Sequence, residues 1–170
     1  NDLNAYVAAG INSDHESVLL EEAREKLKRG IYVMIREGSQ EENMNDLLPL
    51  VTDLTYKRCM FVVDDRTCVD LVEEGDMDAV VRKAISRGLD PARAIQMVTI
   101  NTAERFKLDK MGAVAPGYLA NLIVIEDLNS PQVNMVFHRG RLVAEKGKAL
   151  FTAGRPAVKG LTSTVHIKSF

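Results

Sequence analysis

The sequence predicts an α/β fold over residues 1–110, followed by a short β-rich portion. Two unbroken apolar runs, at residues 31–35 and 59–63, have the length and β-branched content of strands buried on both faces of a parallel sheet. Amphipathic segments of helical length lie around these runs, and strands that alternate with such helices indicate βαβ units. After about Lys110, short apolar runs are separated by Pro-Gly, Ser-Pro and Arg-Gly turn signals.

The first elements are predicted from apolar spacing and from residues that end helices. Residues 3–9 have the pattern of a helix end, which Gly10 stops by adopting a left-handed conformation. A short strand is predicted at residues 11–14. Ser17 is then expected to cap a helix that ends at Gly30. The predicted buried face of this helix consists of Leu19, Ala23 and Leu27.

Three further helices are predicted before the β-rich portion begins. The first runs from about residue 41 to residue 54, although Pro49 argues against one straight helix. Its core stripe is Leu47, Val51 and Leu54. The second ends at Gly88, and its apolar face is Met77, Val80, Val81, Ala84 and Ile85. Asp90 and Pro91 start the third, as the N-cap and the first helical residue.

The β-rich portion is predicted to contain three short strands, at residues 122–125, 134–137 and 141–144. Residues 138–141, His-Arg-Gly-Arg, have the composition of a tight hairpin turn. The tail from residue 152 contains two glycines and a proline and is expected to be a linker.

Composition excludes several classes of protein. The 22 Lys and Arg against 24 Asp and Glu give a net charge of −2, so a strongly basic nucleic-acid binder is excluded. No apolar run approaches the roughly 20 residues needed to span a bilayer. The two cysteines do not form a secreted disulfide framework or a zinc ribbon, so we expect a cytoplasmic protein. Because the chain begins without Met and as if inside a helix, we expect a piece of a larger protein.

Polar residues follow three predicted strands at the point where each strand ends. They are the groups at residues 13–16, 36–39 and 64–66. Since ligands bind outside the carboxyl ends of parallel strands, we expect these groups to form one site. His15 is either a hydrogen-bonded surface residue or a ligand of a divalent transition metal, for which imidazole and carboxylate are suitable donors. The other two histidines, His138 and His166, are interpreted as structural or solvated.

These groups belong to short blocks that follow one another in a characteristic order. The blocks are Ser-Asp-His-Glu at 13–16, Arg-Glu-Gly-Ser at 36–39, Asp-Asp-Arg at 64–66, Thr-Ile-Asn at 99–101 and Ala-Pro-Gly-Tyr at 115–118. In this order they resemble the adenine deaminases of bacteria and archaea, which belong to the amidohydrolase superfamily. The first two blocks are particular to adenine deaminases, whereas the last two are generic to the superfamily.

The resemblance implies a partial (β/α)₈ TIM-type barrel followed by a small β-sandwich portion. Residues 11–15, 31–36 and 59–64 would be barrel strands six, seven and eight. Residues 1–110 would then be the C-terminal part of the barrel and 111–151 the β-sandwich portion. Residues 152–170 would be the linker toward a missing C-terminal domain.

The resemblance also implies roles for individual residues. His15 would be the strand-six metal ligand, and Asp64 the strand-eight aspartate that binds metal and shuttles a proton. Asp65 is the alternative for that catalytic role, because two adjacent aspartates leave the register open by one. The predicted substrate-binding residues are Glu16, Arg36, Glu37 and Ser39. The family implies a binuclear centre of divalent metal, and manganese or iron is expected rather than zinc.

Two positions depart from the family pattern. Val63 precedes Asp64 where the family usually has Thr, and Asn121 follows Ala120 where it usually has Asp. The sequence also contains no His-x-His pair, and a complete barrel takes about 250 residues. We therefore expect part of an enzyme that converts adenine to hypoxanthine and ammonia, inactive as the isolated chain. Open strand edges favour a homo-oligomer, with no nucleic-acid or membrane partner.

Two other functions remain as alternatives. Another cyclic-amide amidohydrolase, similar to dihydroorotase or allantoinase, would share the His and Asp plan but would lack the block at residues 36–39. A non-catalytic α/β binding module similar to a receiver domain could instead use Asp64 and Asp65 to hold Mg²⁺, and a non-catalytic oligomerisation piece is a separate alternative. Such a receiver-like module carries its acidic pair after the first strand, whereas here the pair follows the third.

Overall fold

The computed structural model describes residues 2–154. Its first half contains a parallel sheet of three strands, β1 (Ser13–Asp14), β2 (Tyr32–Arg36) and β3 (Cys59–Val62), in the order β1-β2-β3. The α/β class is thereby confirmed. His166 and nearly all of the predicted linker lie outside the described residues.

Seven helices accompany these strands in the described part of the chain. They are α1 (Asp2–Ala8), α2 (Leu20–Lys28), α3 (Met44–Leu47), α4 (Cys68–Glu73), α5 (Met77–Ser86), α6 (Pro91–Val98) and α7 (Ile100–Phe106). The predicted helix start at Asp90 is confirmed, because its side chain accepts a hydrogen bond from the backbone N–H of Arg93. None of these helices is long and apolar enough to cross a membrane.

The core lies between the parallel sheet and its helices. Alternation along the strands turns Val33 and Ile35 of β2, and Cys59 and Phe61 of β3, toward the same side. These four residues are buried together with residues of α2, α3, α5 and α6, namely Ala23, Met44, Leu47, Val80, Val81, Ala84, Ala94 and Met97. The core faces one side of the sheet, so the polar strand ends can face the other.

A second sheet follows, with four antiparallel strands in chain order. They are β4 (Leu122–Ile125), β5 (Val133–His138), β6 (Arg141–Glu145) and β7 (Lys148–Ala149). The predicted hairpin is confirmed, because His138 pairs with Arg141 and the two residues between them have positive φ. His138 is exposed at this turn.

The structure corrects several local predictions. Ser17 does not cap α2, which begins at Leu20 without a side-chain cap, and Leu19 lies before the helix, 66% exposed. The helix predicted for residues 41–54 is wrong. The helix α3 ends at Leu47, and a 3₁₀ turn follows over Leu48–Leu50, with Pro49 in its first positions. Leu54 is 94% exposed rather than part of a core stripe.

Two short elements, α4 and β7, were not indicated by the sequence. The apolar residues of α4 are exposed, among them Val69 and Val72, so they form no buried stripe that a helical pattern could reveal. The strand β7 has only two residues, both exposed, and pairs with the end of β6.

Candidate functional site

The three predicted polar groups lie at one edge of the parallel sheet. Arg36 ends β2, Asp64 lies two residues beyond β3, and His15 follows β1 directly. Because Arg36 pairs with Val62 in the ladder, side-chain alternation puts Arg36 on the face opposite Ile35 and Phe61. The site therefore lies on the side of the sheet that the helical core does not cover.

The guanidinium of Arg36 connects the residues at this edge. Its Nη1 is 2.8 Å from Glu16 Oε2 and 3.5 Å from Asp64 Oδ2. His15 Nε2 is 3.2 Å from the other oxygen of Glu16. His15, Glu16, Arg36 and Asp64 thus form one continuous chain of contacts across the ends of three strands.

The two adjacent aspartates have different surroundings. Asp64 has φ 55°, a left-handed conformation that non-glycine residues adopt uncommonly and that is enriched at functional sites. Asp65 accepts hydrogen bonds from the backbone N–H groups of Ser39 at 3.2 Å and Gln40 at 2.9 Å. The carboxylate of Asp65 therefore holds the loop after β2, while that of Asp64 faces Arg36.

Close packing of the loop after β2 requires a glycine. A Cβ added at Gly38 would overlap the Asp65 carboxylate and approach the carbonyl oxygen of Val63 to 2.6 Å. Gly38 thereby allows the loops after β2 and β3 to lie against each other, which brings Arg36 and Asp64 together.

Glu37 and Ser39 do not join Arg36, although the sequence groups them in one pocket. Glu37 is 2% exposed, accepts a hydrogen bond from the Met44 N–H at 3.0 Å and pairs with Lys83 of α5. Ser39 Oγ accepts from the Thr67 N–H and bonds to Asp70. Both residues line a separate polar cavity of about 220 Å³, because alternation turns Glu37 toward the helices.

Burial alone would lower the pKa of Lys83 in this cavity. Its hydrogen bonds to Glu37 and Glu42, together with the charges of both carboxylates, outweigh burial and raise the pKa above its ordinary value. Lys83 therefore stays charged and is a structural partner of Glu37 rather than a proton acceptor.

A part-buried ion pair that the sequence did not reveal connects β1 with α2. Lys26 Nζ donates to Asp14 Oδ2 at 2.8 Å and to Ser17 Oγ at 2.9 Å, and Ser17 donates to the same carboxylate. Lys26 is buried although it belongs to the highly charged stretch at residues 21–29. The signal was available, since Lys26 lies three residues after Ala23 on the apolar side of α2.

Neither cysteine belongs to the site edge. Cys59 is buried in the core, and burial raises the pKa of its thiol to about 12, which makes it unreactive. Cys68 is exposed at the first residue of α4.

The donors at this edge suit part of a metal site. His15 and Asp64 supply an imidazole nitrogen and a carboxylate oxygen, which are suitable ligands for divalent transition metals. Within residues 2–154, however, no group of three or more His, Cys, Asp and Glu side chains is close enough to hold an ion. Among the described residues, His15 and Asp64 would therefore account for at most two ligands of such a centre.

Comparison with known proteins identifies the family. The model of the Amidohydrolase family matches residues 1–143. Adenine deaminase of Dehalococcoides mccartyi strain 195 is 64% identical over 169 residues, which cover 99% of this chain and 30% of that protein. Adenine deaminase of Methanoculleus marisnigri is 52% identical over 146 residues, covering 86% of this chain and 28% of that protein. The chain thus spans less than a third of the length of these relatives.

Solved structures agree at the level of the fold. The β-aspartyl dipeptidase of Fervidobacterium islandicum AW-1 matches with a TM-score of 0.63 at 17% identity, covering 80% of this chain and 39% of that one. An amidohydrolase crystal structure matches with a TM-score of 0.57 at 18% identity, covering 86% of this chain and 43% of that one. Together with the family match over residues 1–143, these findings show that the chain belongs to the Amidohydrolase family.

Proposed function

We propose that this chain supplies part of the active site of an adenine deaminase. The observation that carries the proposal is the continuous chain of contacts from His15 through Glu16 and Arg36 to Asp64. It joins the ends of three neighbouring parallel strands, where ligands of α/β proteins bind. The relatives named adenine deaminase, up to 64% identical, support adenine as the substrate.

In this proposal β1, β2 and β3 are strands six, seven and eight of a (β/α)₈ barrel. The parallel order of the three strands, and the packing of β2 and β3 against α2, α3 and α5, suit three consecutive barrel units. Residues 111–151 belong to a β-sandwich portion, as the four antiparallel strands suggest. The short edge strand β1 and the far edge of β3 favour association with further strands, either of the same protein or of another copy.

The reaction is hydrolytic: water adds to C6 of adenine, and ammonia leaves to give hypoxanthine. His15 and Asp64 would hold a divalent metal, for which manganese or iron is expected rather than zinc. Such a metal, when bound, supplies the nucleophile by lowering the pKa of water toward about 7. Asp64 accepts the proton of the attacking water and returns it to the leaving amine. General acid–base catalysis of this kind contributes about 10²–10⁴-fold.

Asp64 is favoured over Asp65 because of their partners. Both carboxylate oxygens of Asp65 accept backbone N–H groups of the loop after β2, whereas the carboxylate of Asp64 faces Arg36 at the strand ends. Glu16, whose side chain is 65% exposed, is the carboxylate best placed to accept a hydrogen bond from the purine edge. Glu37 and Ser39, which line the cavity on the helical side, are the weaker substrate contacts.

A chimeric enzyme tests this function. The matching part of the Dehalococcoides mccartyi adenine deaminase is replaced by this chain, and release of ammonia and hypoxanthine is measured with added Mn²⁺ or Fe²⁺. We expect an active chimera, and a loss of at least about 100-fold in kcat for Asp64→Asn. Asp65→Asn should cost less, since its effect is on the loop.

The isolated chain is the companion experiment. We expect it to bind Mn²⁺ weakly and to release no ammonia from adenine, because it provides only two of the proposed ligands. A folded chimera without activity, or one in which Asp64→Asn has no effect, would contradict the proposal. Activity toward dihydroorotate or allantoin instead of adenine would favour the alternative that the chain is part of another cyclic-amide amidohydrolase.

A further inference from the structure

We propose that Arg36 is a positioning residue that holds Glu16 and Asp64 in place, and that it does not contact the purine. The inference rests on the proposed function, in which Asp64 binds metal and moves the proton. It assigns a role to Arg36, for which the sequence predicts substrate binding without a defined contact.

The first argument is that every nitrogen of the guanidinium already faces a protein acceptor. Its Nε donates to Asn43 Oδ1 at 3.0 Å, its Nη1 faces Glu16 and Asp64, and its Nη2 lies 3.3 Å from Glu41. Each of the three nitrogens thus already has a protein acceptor. The side chain of Arg36 is 7% exposed, so a ligand at the strand ends meets the carboxylates before it meets the cation.

The second argument is electrostatic. Three carboxylates, those of Glu16, Glu41 and Asp64, surround this single guanidinium. Without it their like charges would repel one another, and Asp64 would lose the partner that faces it from β2. A planar guanidinium presents its donors in fixed directions, so it can hold several carboxylates at set positions relative to one another.

The third argument is that Arg36 is itself held from behind. The Asn43 side chain accepts from Arg36 Nε, and the Asn43 backbone N–H donates to the Arg36 carbonyl at 3.0 Å. Asn43 is buried and lies immediately before α3, away from the exposed carboxylates. This two-point contact fixes the guanidinium before any ligand arrives.

Steady-state kinetics of the active chimera distinguish positioning from substrate binding. Arg36→Gln should lower kcat by about 100-fold and leave the KM for adenine nearly unchanged, because small displacements of catalytic groups cost about this much. Asn43→Ala, which touches only Arg36 in the network, should lower kcat by about 10-fold with the same unchanged KM. Guanidinium ion should partly restore kcat to Arg36→Ala. A raised KM with kcat preserved in Arg36→Gln would overturn the inference.

Nuclear magnetic resonance of the isolated 170-residue chain provides a readout that does not depend on activity. The Arg36 Nη protons should show hindered rotation, and Asn43→Ala should accelerate it while circular dichroism stays unchanged. Free rotation in the unmutated chain would overturn the inference whatever the enzyme does. An inactive chimera, combined with hindered rotation of the Arg36 side chain, would refute adenine deamination. It would still support the inference that Arg36 is fixed by its protein contacts.

Discussion

The parallel and antiparallel sheets differ sharply in how deeply their strands are buried. Six residues of β2 and β3 are buried: five are apolar, and the sixth, Arg36, belongs to the site. The apolar ones are Val33, Ile35, Cys59, Met60 and Phe61. Within residues 2–154, none of the residues of β4, β5, β6 and β7 is buried. The parallel sheet therefore builds its own core, whereas the antiparallel sheet does not.

The antiparallel sheet lies beside α5 and α6. An apolar cavity of about 230 Å³ lies between them, lined by Met77, Val81, Ile95, Val98, Ile123, Ile125, Pro131 and Val133. Arg82 of α5 also reaches the carbonyl oxygen of Pro131 at 3.5 Å. The comparison teaches that the site is carried by the self-supporting region, and that the second region depends on its neighbours for burial.

The largest expected effect comes from truncating matched aromatic residues in the two sheets. Phe61→Ala in β3 should lower the free energy of unfolding by about 3–5 kcal/mol, because Phe61 is fully buried. Phe137→Ala in β5 should cost about 1 kcal/mol, because that side chain is only half-buried. Urea denaturation followed by circular dichroism measures both, and equal costs would abolish the contrast between the sheets.

A smaller loss is expected when the buried charge behind β1 is removed. Lys26→Met should cost about 3 kcal/mol, since the Asp14 side chain, only 10% exposed, would be left without its counter-charge. The control is Lys28→Met on the same helix, whose solvent-exposed pair with Glu25 should contribute little to stability. A Lys28 variant as unstable as the Lys26 variant would show that burial is not what matters here.

Packing between the loops of the parallel region gives the third prediction. Gly38→Ala should destabilise by about 1–3 kcal/mol, because its Cβ would displace the Asp65 carboxylate from the loop after β2. Gly154→Ala, with open space around it, should change stability by less than about 0.5 kcal/mol. Thermal unfolding of the two variants tests this, and a neutral Gly38→Ala would mean that the two loops separate at little cost.

The smallest effect concerns the contact between the two regions. Burial alone would raise the pKa of Asp78, but hydrogen bonds from Arg82 and from the Asp76 backbone outweigh it and leave the pKa below the usual 3.8. The stabilisation is therefore present above about pH 4 and lost as the pH falls through the lowered value of the folded state. Unfolding curves at pH 6 and pH 3 should differ less for Asp78→Asn than for the unmutated chain, and an unchanged difference would exclude a contribution from this pair.

Much of the local structure could be predicted from the sequence. The runs that became β2 and β3 could be predicted because an unbroken apolar stretch of this length is typical of a buried strand. The helix start at Asp90 and Pro91 could be predicted because N-capping depends on residues close in the chain. The helix predicted up to residue 54 failed because apolar spacing alone cannot report that Leu54 has no surface to pack against. The polar groups at the strand ends were found for a topological reason, since parallel strands bring their carboxyl ends to one edge.

The amino-acid pattern was sufficient for the α/β class, for the family blocks and for three polar groups meeting at one edge of a sheet. Only the folded chain separates Asp64 from Asp65, puts Glu37 on the helical side, and surrounds Arg36 with acceptors from distant segments. The physical reason is that hydrogen bonds and ion pairs depend on distances of about 3 Å and on direction. Periodicity indicates which face of a helix or strand a residue occupies, but it does not indicate which residue it contacts there.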